Sequence, residues 1–113
     1  MKHNEKINAT LNIGMTTKHY MSINVKTAMQ IIALTTDCTM TECVRGYKGH
    51  MEKSLKVEIY DTTAEKAVEL AREFAREFVQ ECVACTVRWK TVFVADIATE
   101  KERKELTSEL ENQ

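Results

Sequence analysis

The chain has 113 residues, 43% of them hydrophobic, with 16 Lys/Arg against 17 Asp/Glu and a formal net charge of −1. One domain with one core is the natural content of that length, and near-neutral charge gives no general drive towards nucleic acid or an anionic membrane. No apolar run reaches the length of a membrane span, and the opening MKHNEKIN lacks the marks of a signal peptide. The expected location is therefore the cytoplasm, where the four cysteines stay reduced.

In chain order, Ile7, Ala9, Leu11, Ile13 and Met15 alternate with Asn8, Thr10, Asn12 and Gly14, the period-two pattern of a half-buried strand. After a connection, Asn24 or Ser22 caps a helix whose buried stripe is Val25, Ala28, Met29 and Ile32. That helix fades at Thr35-Thr36-Asp37. A second strand is expected over residues 41–47 with its inward face open, since Cys43 and Tyr47 share one parity and Met40 and Val44 the other. GYKGHMEK (46–53) holds two of the three glycines and reads as a loop or hairpin. Leu55, Val57 and Ile59 then mark a third strand.

Residues 62–82 carry the clearest helical pattern, with Ala64, Ala67, Val68, Ala71, Phe74, Ala75, Phe78, Val79 and Cys82 on one stripe and charges opposite. Thr62 and Glu65 have capping-box spacing. A fourth strand begins near Val83, with Val83, Cys85, Val87 and Trp89 inward, and continues through residues 91–97. The tail from Thr99 starts as a helix or frays, with only Leu106 and Leu110 to bury. The division is a single α+β domain over 1–98 and a charged tail over 99–113. The order strand-helix-strand-strand-helix-strand predicts a ferredoxin-like sandwich: a four-stranded antiparallel sheet with both helices on one face and a polar opposite face.

No catalytic constellation emerges from spacing, so no catalytic residue, cofactor or metal is assigned. Cys38-x4-Cys43 and Cys82-x2-Cys85 invite a zinc site, but the topology puts the pairs at opposite ends of the sandwich, about 15–20 Å apart. Cys82 and Cys85 also fit buried apolar positions. No paired thiols follow the first strand as in a soft-metal carrier, and Arg45-Gly46-Tyr47 matches only the start of an RNA-recognition octapeptide. The most function-like segment is the hairpin, where Arg45, Tyr47, Lys48, His50, Glu52 and Lys53 are the binding candidates for a phosphate or an acidic partner surface.

Gly46-x-x-Gly49-x-x-Glu52-x-Ser54-Leu55-x-Val57, between the opening ATLNIG (9–14) and the alanine-rich helix, resembles small proteins of bacteriophages and mobile elements over roughly residues 7–95. The resemblance carries no active-site residue. It implies a setting in which small proteins bind and obstruct host machinery, including CRISPR and other defence nucleases.

The expectation is therefore a non-enzymatic binding protein that obstructs or modulates a host macromolecule. The alternative is a dimeric ferredoxin-like small-molecule enzyme or ligand sensor, with a pocket near His19, Tyr20 and Asp37. The third is a nucleic-acid-binding module. Trp89, Val92, Phe93 and Val94 are the candidate dimer edge, because a strand apolar on both faces needs cover. A second copy, favoured here, or the tail through Leu106 and Leu110 would supply it.

Overall fold

A computed structural model describes residues 3–113. The chain runs β1 (Ile7–Gly14), α1 (Val25–Thr35), β2 (Thr39–Tyr47), β3 (His50–Thr62), α2 (Ala64–Glu77), β4 (Cys82–Val87), β5 (Lys90–Ala95) and α3 (Glu100–Glu111). The strands form one antiparallel sheet in the order β2-β3-β1-β4-β5. The expected order of four strands and two helices is present, followed by a further strand and helix. The fold is α+β with three helices, and the four-stranded expectation is corrected to five.

The miscount has a local cause. The chain reverses at Arg88-Trp89, where Val87 pairs with Lys90. Two-residue hairpin turns need positive φ, which Gly or Asn usually announces; here Arg88 adopts it at 57°. The apolar pattern therefore runs through the turn unmarked, and Trp89, expected inward, is 84% exposed. The β2–β3 turn is better signalled. Lys48 (φ 48°) and Gly49 (φ 79°) are both left-handed, as a type I′ turn requires. Tyr47 pairs with His50, so residues 50–53 belong to β3.

α2 buries Ala64, Ala67, Val68, Ala71, Phe74 and Ala75 against the sheet, matching the sequence stripe. Each large apolar side chain so buried contributes ~1.5–3 kcal/mol. The cap is Thr63, whose side chain accepts from the Lys66 N–H; Thr62 closes β3 instead of capping. The helix stops short of its predicted end because Val79 turns left-handed (φ 51°). Cys82 thus opens β4, exposed, and not the helix stripe.

The core gathers Leu11, Ile13, Ala28, Ile32, Leu55, Val57, Phe74, Val83, Cys85 and Leu110 beneath the helices. α3 is an ordered part of that layer. Thr99 and Glu102 form its capping box, Leu110 is fully buried, and Arg103 Nε donates to Glu69 Oε1 of α2 at 2.8 Å. α2 and α3 lie over β5, where Val92 and Val94 are 3% and 0% exposed. The side chains of those two are covered within the chain, while Phe93 and Trp89 stay exposed and β5 remains an edge strand. No helix among the described residues is long and apolar enough to cross a membrane.

Candidate functional site

A cleft of ≈ 750 Å³ opens at the base of the β2–β3 hairpin. Three separate segments build it. Met15, Thr16, Ser22 and Ile23 come from the β1–α1 connection, Asn24, Val25, Lys26 and Met29 from the start of α1, and Glu42, Met51, Glu52 and Lys53 from the hairpin. Backbone bonds fix the walls: Met15 N–H donates to Lys53 O at 2.9 Å, and Ile23 N–H to Met15 O at 2.9 Å. Asn24 caps α1 by accepting from the Thr27 N–H at 2.9 Å. The volume lies in the range of sites for drug-sized ligands.

The lining has a defined chemistry. Glu42 supplies a carboxylate, and Lys26 and Lys53 supply ammonium groups; Glu52 shares the lining, but its side chain belongs to the other face of the sheet. Met15, Ile23, Val25 and Met29 supply an apolar wall with two soft thioethers. Glu42 stands opposite Leu55 in the ladder yet is exposed while Leu55 is buried. The helical layer does not extend over β2 at this point, and the cleft occupies the gap. A more open depression of ≈ 790 Å³ elsewhere is lined by the solvent side of α3 and Lys90, without groups converging from several elements.

On the opposite, polar face of the sheet, Arg45 stands across the ladder from Glu52. Its Nε and Nη2 both donate to Glu52 Oε2, at 3.2 and 3.1 Å. Of the remaining hairpin candidates, Lys53 lines the cleft. Lys48 and His50 are exposed around the turn, and Tyr47 ends β2 with its side chain outside the described residues. Sequence reasoning missed Glu42, Lys26 and the methionines. A glutamate on the core-facing parity of β2 was the available signal.

The pocket expected near His19, Tyr20 and Asp37 is not formed. β1 and β2 both run antiparallel to β3, hence parallel to each other, so His19 after β1 and Asp37 before β2 lie at opposite ends of the sheet. All three residues are exposed. The cysteine placement is corrected too. Cys43 pairs with Ser54, Ser54 with Gly14, and the Asn12–Ala84 pair brings Cys82 level with Gly14. Cys43 and Cys82 therefore share one end, three strand spacings or about 14 Å apart. Among the described residues no three His, Cys, Asp or Glu side chains converge as a metal-ligand set. Burial pushes the Cys85 thiol up to about 12. Burial also raises Cys38, with help from Asp37. It raises Cys82 as well, joined by Glu81 and Asp96 and opposed by Arg45.

No family model matches the chain, and no curated protein matches it. Among solved structures, it is similar to a phage SAM lyase in its apo state, with a TM-score of 0.65 and 16% identity over 84% of this chain and 93% of that one. At that identity the likeness is one of fold. It agrees with the phage setting that the hairpin motif suggested, although the motif itself gains no support from it. The expectation of a non-enzymatic protein obstructing host machinery is corrected here: the solved protein that shares this architecture is by its title an enzyme acting on a small molecule.

Proposed function

We propose that this protein is a small-molecule enzyme that cleaves a carbon–sulfur bond of S-adenosylmethionine or a closely related sulfonium, binding it in the cleft at the hairpin base. The first four strands with α1 and α2 are read as a ferredoxin-like unit extended by β5 and α3. The observation that carries the proposal is the convergence of a carboxylate, two ammonium groups and an apolar, thioether-bearing wall from three segments into one ligand-sized cleft. The fold likeness to a SAM lyase supports it.

The ligand's chemistry matches that lining. An amino acid bearing a sulfonium offers a carboxylate, an ammonium and a fixed positive sulfur. Lys26 and Lys53 suit the first, and Glu42 the second. When the bond breaks, its electron pair leaves with sulfur, which becomes a neutral thioether. Positive charge is lost at sulfur in the transition state. A wall of Met15, Ile23, Val25 and Met29 solvates the sulfonium poorly and the neutral product well, so it favours departure. The carbon left behind is satisfied by a lone pair from elsewhere in the ligand or by losing a neighbouring proton to Glu42. Neither route adds water, which defines a lyase.

Incubation of the protein with S-adenosylmethionine tests this, with loss of ligand and appearance of a thioether followed by chromatography and mass spectrometry. Lys53→Ala and Glu42→Gln should each lower kcat/KM about tenfold or more, the cost of one charge-assisted contact. Asp37→Ala, at the other end of the sheet from the cleft, should match wild type. Intact ligand after prolonged incubation, or cleft variants as active as wild type, would reject the proposal.

A further inference from the structure

β5 is the outermost strand on the β4 side of the sheet, and no strand among the described residues pairs with its far edge. The direction of its backbone groups follows from its neighbours. Val87 and Lys90 flank the two-residue turn, and Asp96 N–H donates to Glu81 O on the β4 side. Lys90, Val92, Val94 and Asp96 therefore direct their backbone groups towards β4, while Thr91, Phe93 and Ala95 direct theirs outwards. Of the outward groups, Ala95 O already accepts from Ala98 N–H at 3.1 Å.

Natural sheets guard such an edge with charges, proline or a bulge. β2, the edge on the other side, carries Glu42 and Arg45 in mid-strand. β5 has none of these devices: its register with β4 is unbroken, and residues 91–95 hold neither charge nor proline. Phe93 instead stands 64% exposed at its centre. Trp89, four residues before it, and Ile97, four residues after it, are 84% and 82% exposed.

We propose that β5 is the interface of a two-fold dimer, pairing antiparallel with β5 of a second copy and with Phe93 on the axis. In that register Phe93 faces Phe93 of the copy, Thr91 its Ala95, Val92 its Val94 and Lys90 its Asp96, and Trp89 comes level with its Ile97. The hydrogen bonds fall on the outward groups: Phe93 N–H and C=O exchange across the axis, and Ala95 N–H donates to Thr91 O in both directions. Lys90 approaches the end that carries Asp96, a carboxylate that Lys18 already holds at 2.6 Å. Centring the axis on Val92 or Val94 would set Lys90 against Val94 or Ala98 of the copy and would part Trp89 from Ile97. The exposed side of α3 borders the seam beside Lys90 with charges of both signs, Lys101 and Lys104 with Glu105 and Glu109, so a second α3 meets no field of one sign. The cleft lies towards β2, at the opposite edge of the sheet, and stays open in the dimer.

Sedimentation equilibrium of the full chain, up to millimolar concentration, tests the interface. Wild type should weigh twice the 13.0 kDa of one chain. Phe93→Lys sets like charges opposite each other on the axis and should sediment as a monomer with an unchanged circular dichroism spectrum. Lys90→Glu should raise the dissociation constant several-fold. Cross-linking reads the register, because residues that exchange both bonds have Cα atoms ~5.5 Å apart, within reach of a disulfide. Under mild oxidation Phe93→Cys should link to its own copy, with the joined peptides identified by mass spectrometry. Trp89→Cys, about 27 Å from its own copy at ~3.4 Å per residue, should not. A wild type that stays at 13.0 kDa or assembles as a larger ring overturns the interface, as does a dimer that survives Phe93→Lys. A self-link through Trp89→Cys and none through Phe93→Cys overturns the register. Should Phe93→Lys fail to fold, the cross-link alone decides.

Discussion

Leu110→Ala measures whether α3 belongs to the folded unit or decorates it. Leu110 is fully buried, and α3 meets the body through it, the half-buried Leu106, Thr107 and the Arg103–Glu69 pair. Truncating a fully buried leucine removes its transfer free energy and leaves a cavity, costing 2–5 kcal/mol across sites. A peripheral helix can settle partway into the gap, so about 2–3 kcal/mol is expected here. Domains of this size have only about 5–15 kcal/mol in total. Urea unfolding followed by circular dichroism should show the midpoint fall by roughly 1–2 M, given m of about 1–3 kcal/mol/M. Loss of α3 also uncovers Val92 and Val94, so the variant should aggregate at high concentration where wild type does not. Leu34→Ala, at an exposed helical position, is the control and should stay within about 0.5 kcal/mol. A Leu110→Ala midpoint equal to wild type, with m unchanged, would refute the account of α3 as the cover of β5.

Three further outcomes follow from single features. Thr99→Ala removes the α3 capping box and should cost about 1 kcal/mol by the same urea assay. Cys85, whose thiol burial raises to about 12, should resist iodoacetamide at pH 8 while exposed Cys82 is alkylated. The same shift makes stability pH-dependent. The folded state keeps the Cys85 proton more tightly than the unfolded chain, so this stability is complete below the unfolded value of 9.0 and is lost as pH rises towards about 12. Between pH 8 and 10.5 wild type should lose ~2 kcal/mol more than Cys85→Ala; equal losses would contradict the buried neutral thiol.

Elements whose periodicity agrees with their turn chemistry were legible from sequence. The alternation at Ile7–Met15 and Leu55–Ile59, the Asn24 cap and the α2 stripe all correspond to observed elements. Errors fell where the backbone adopts a conformation its residues do not advertise. Arg88 and Val79 are left-handed without being Gly or Asn, so one hairpin was read as a long strand and one helix was extended to Cys82. The cleft was less visible. It depends on β2 reaching past the helical layer and on the β1–α1 connection, the start of α1 and the hairpin meeting in space. Glu52 and Lys53 were singled out for a hairpin surface, and the structure places both in a cavity beside Glu42. Gly14 carried no turn signal, and a Cβ there would stand 2.8 Å from Arg45 Nη2.

The central claim concerns reaction class, and one labelling experiment addresses it directly. The protein is incubated with S-adenosylmethionine in water enriched in oxygen-18, and all products are analysed by mass spectrometry as they form. The account predicts consumption of the ligand, release of a neutral thioether, and no oxygen-18 in either fragment at the earliest times. Oxygen-18 in the first-formed product would make the protein a hydrolase, and an untouched ligand would remove the sulfonium from the account altogether.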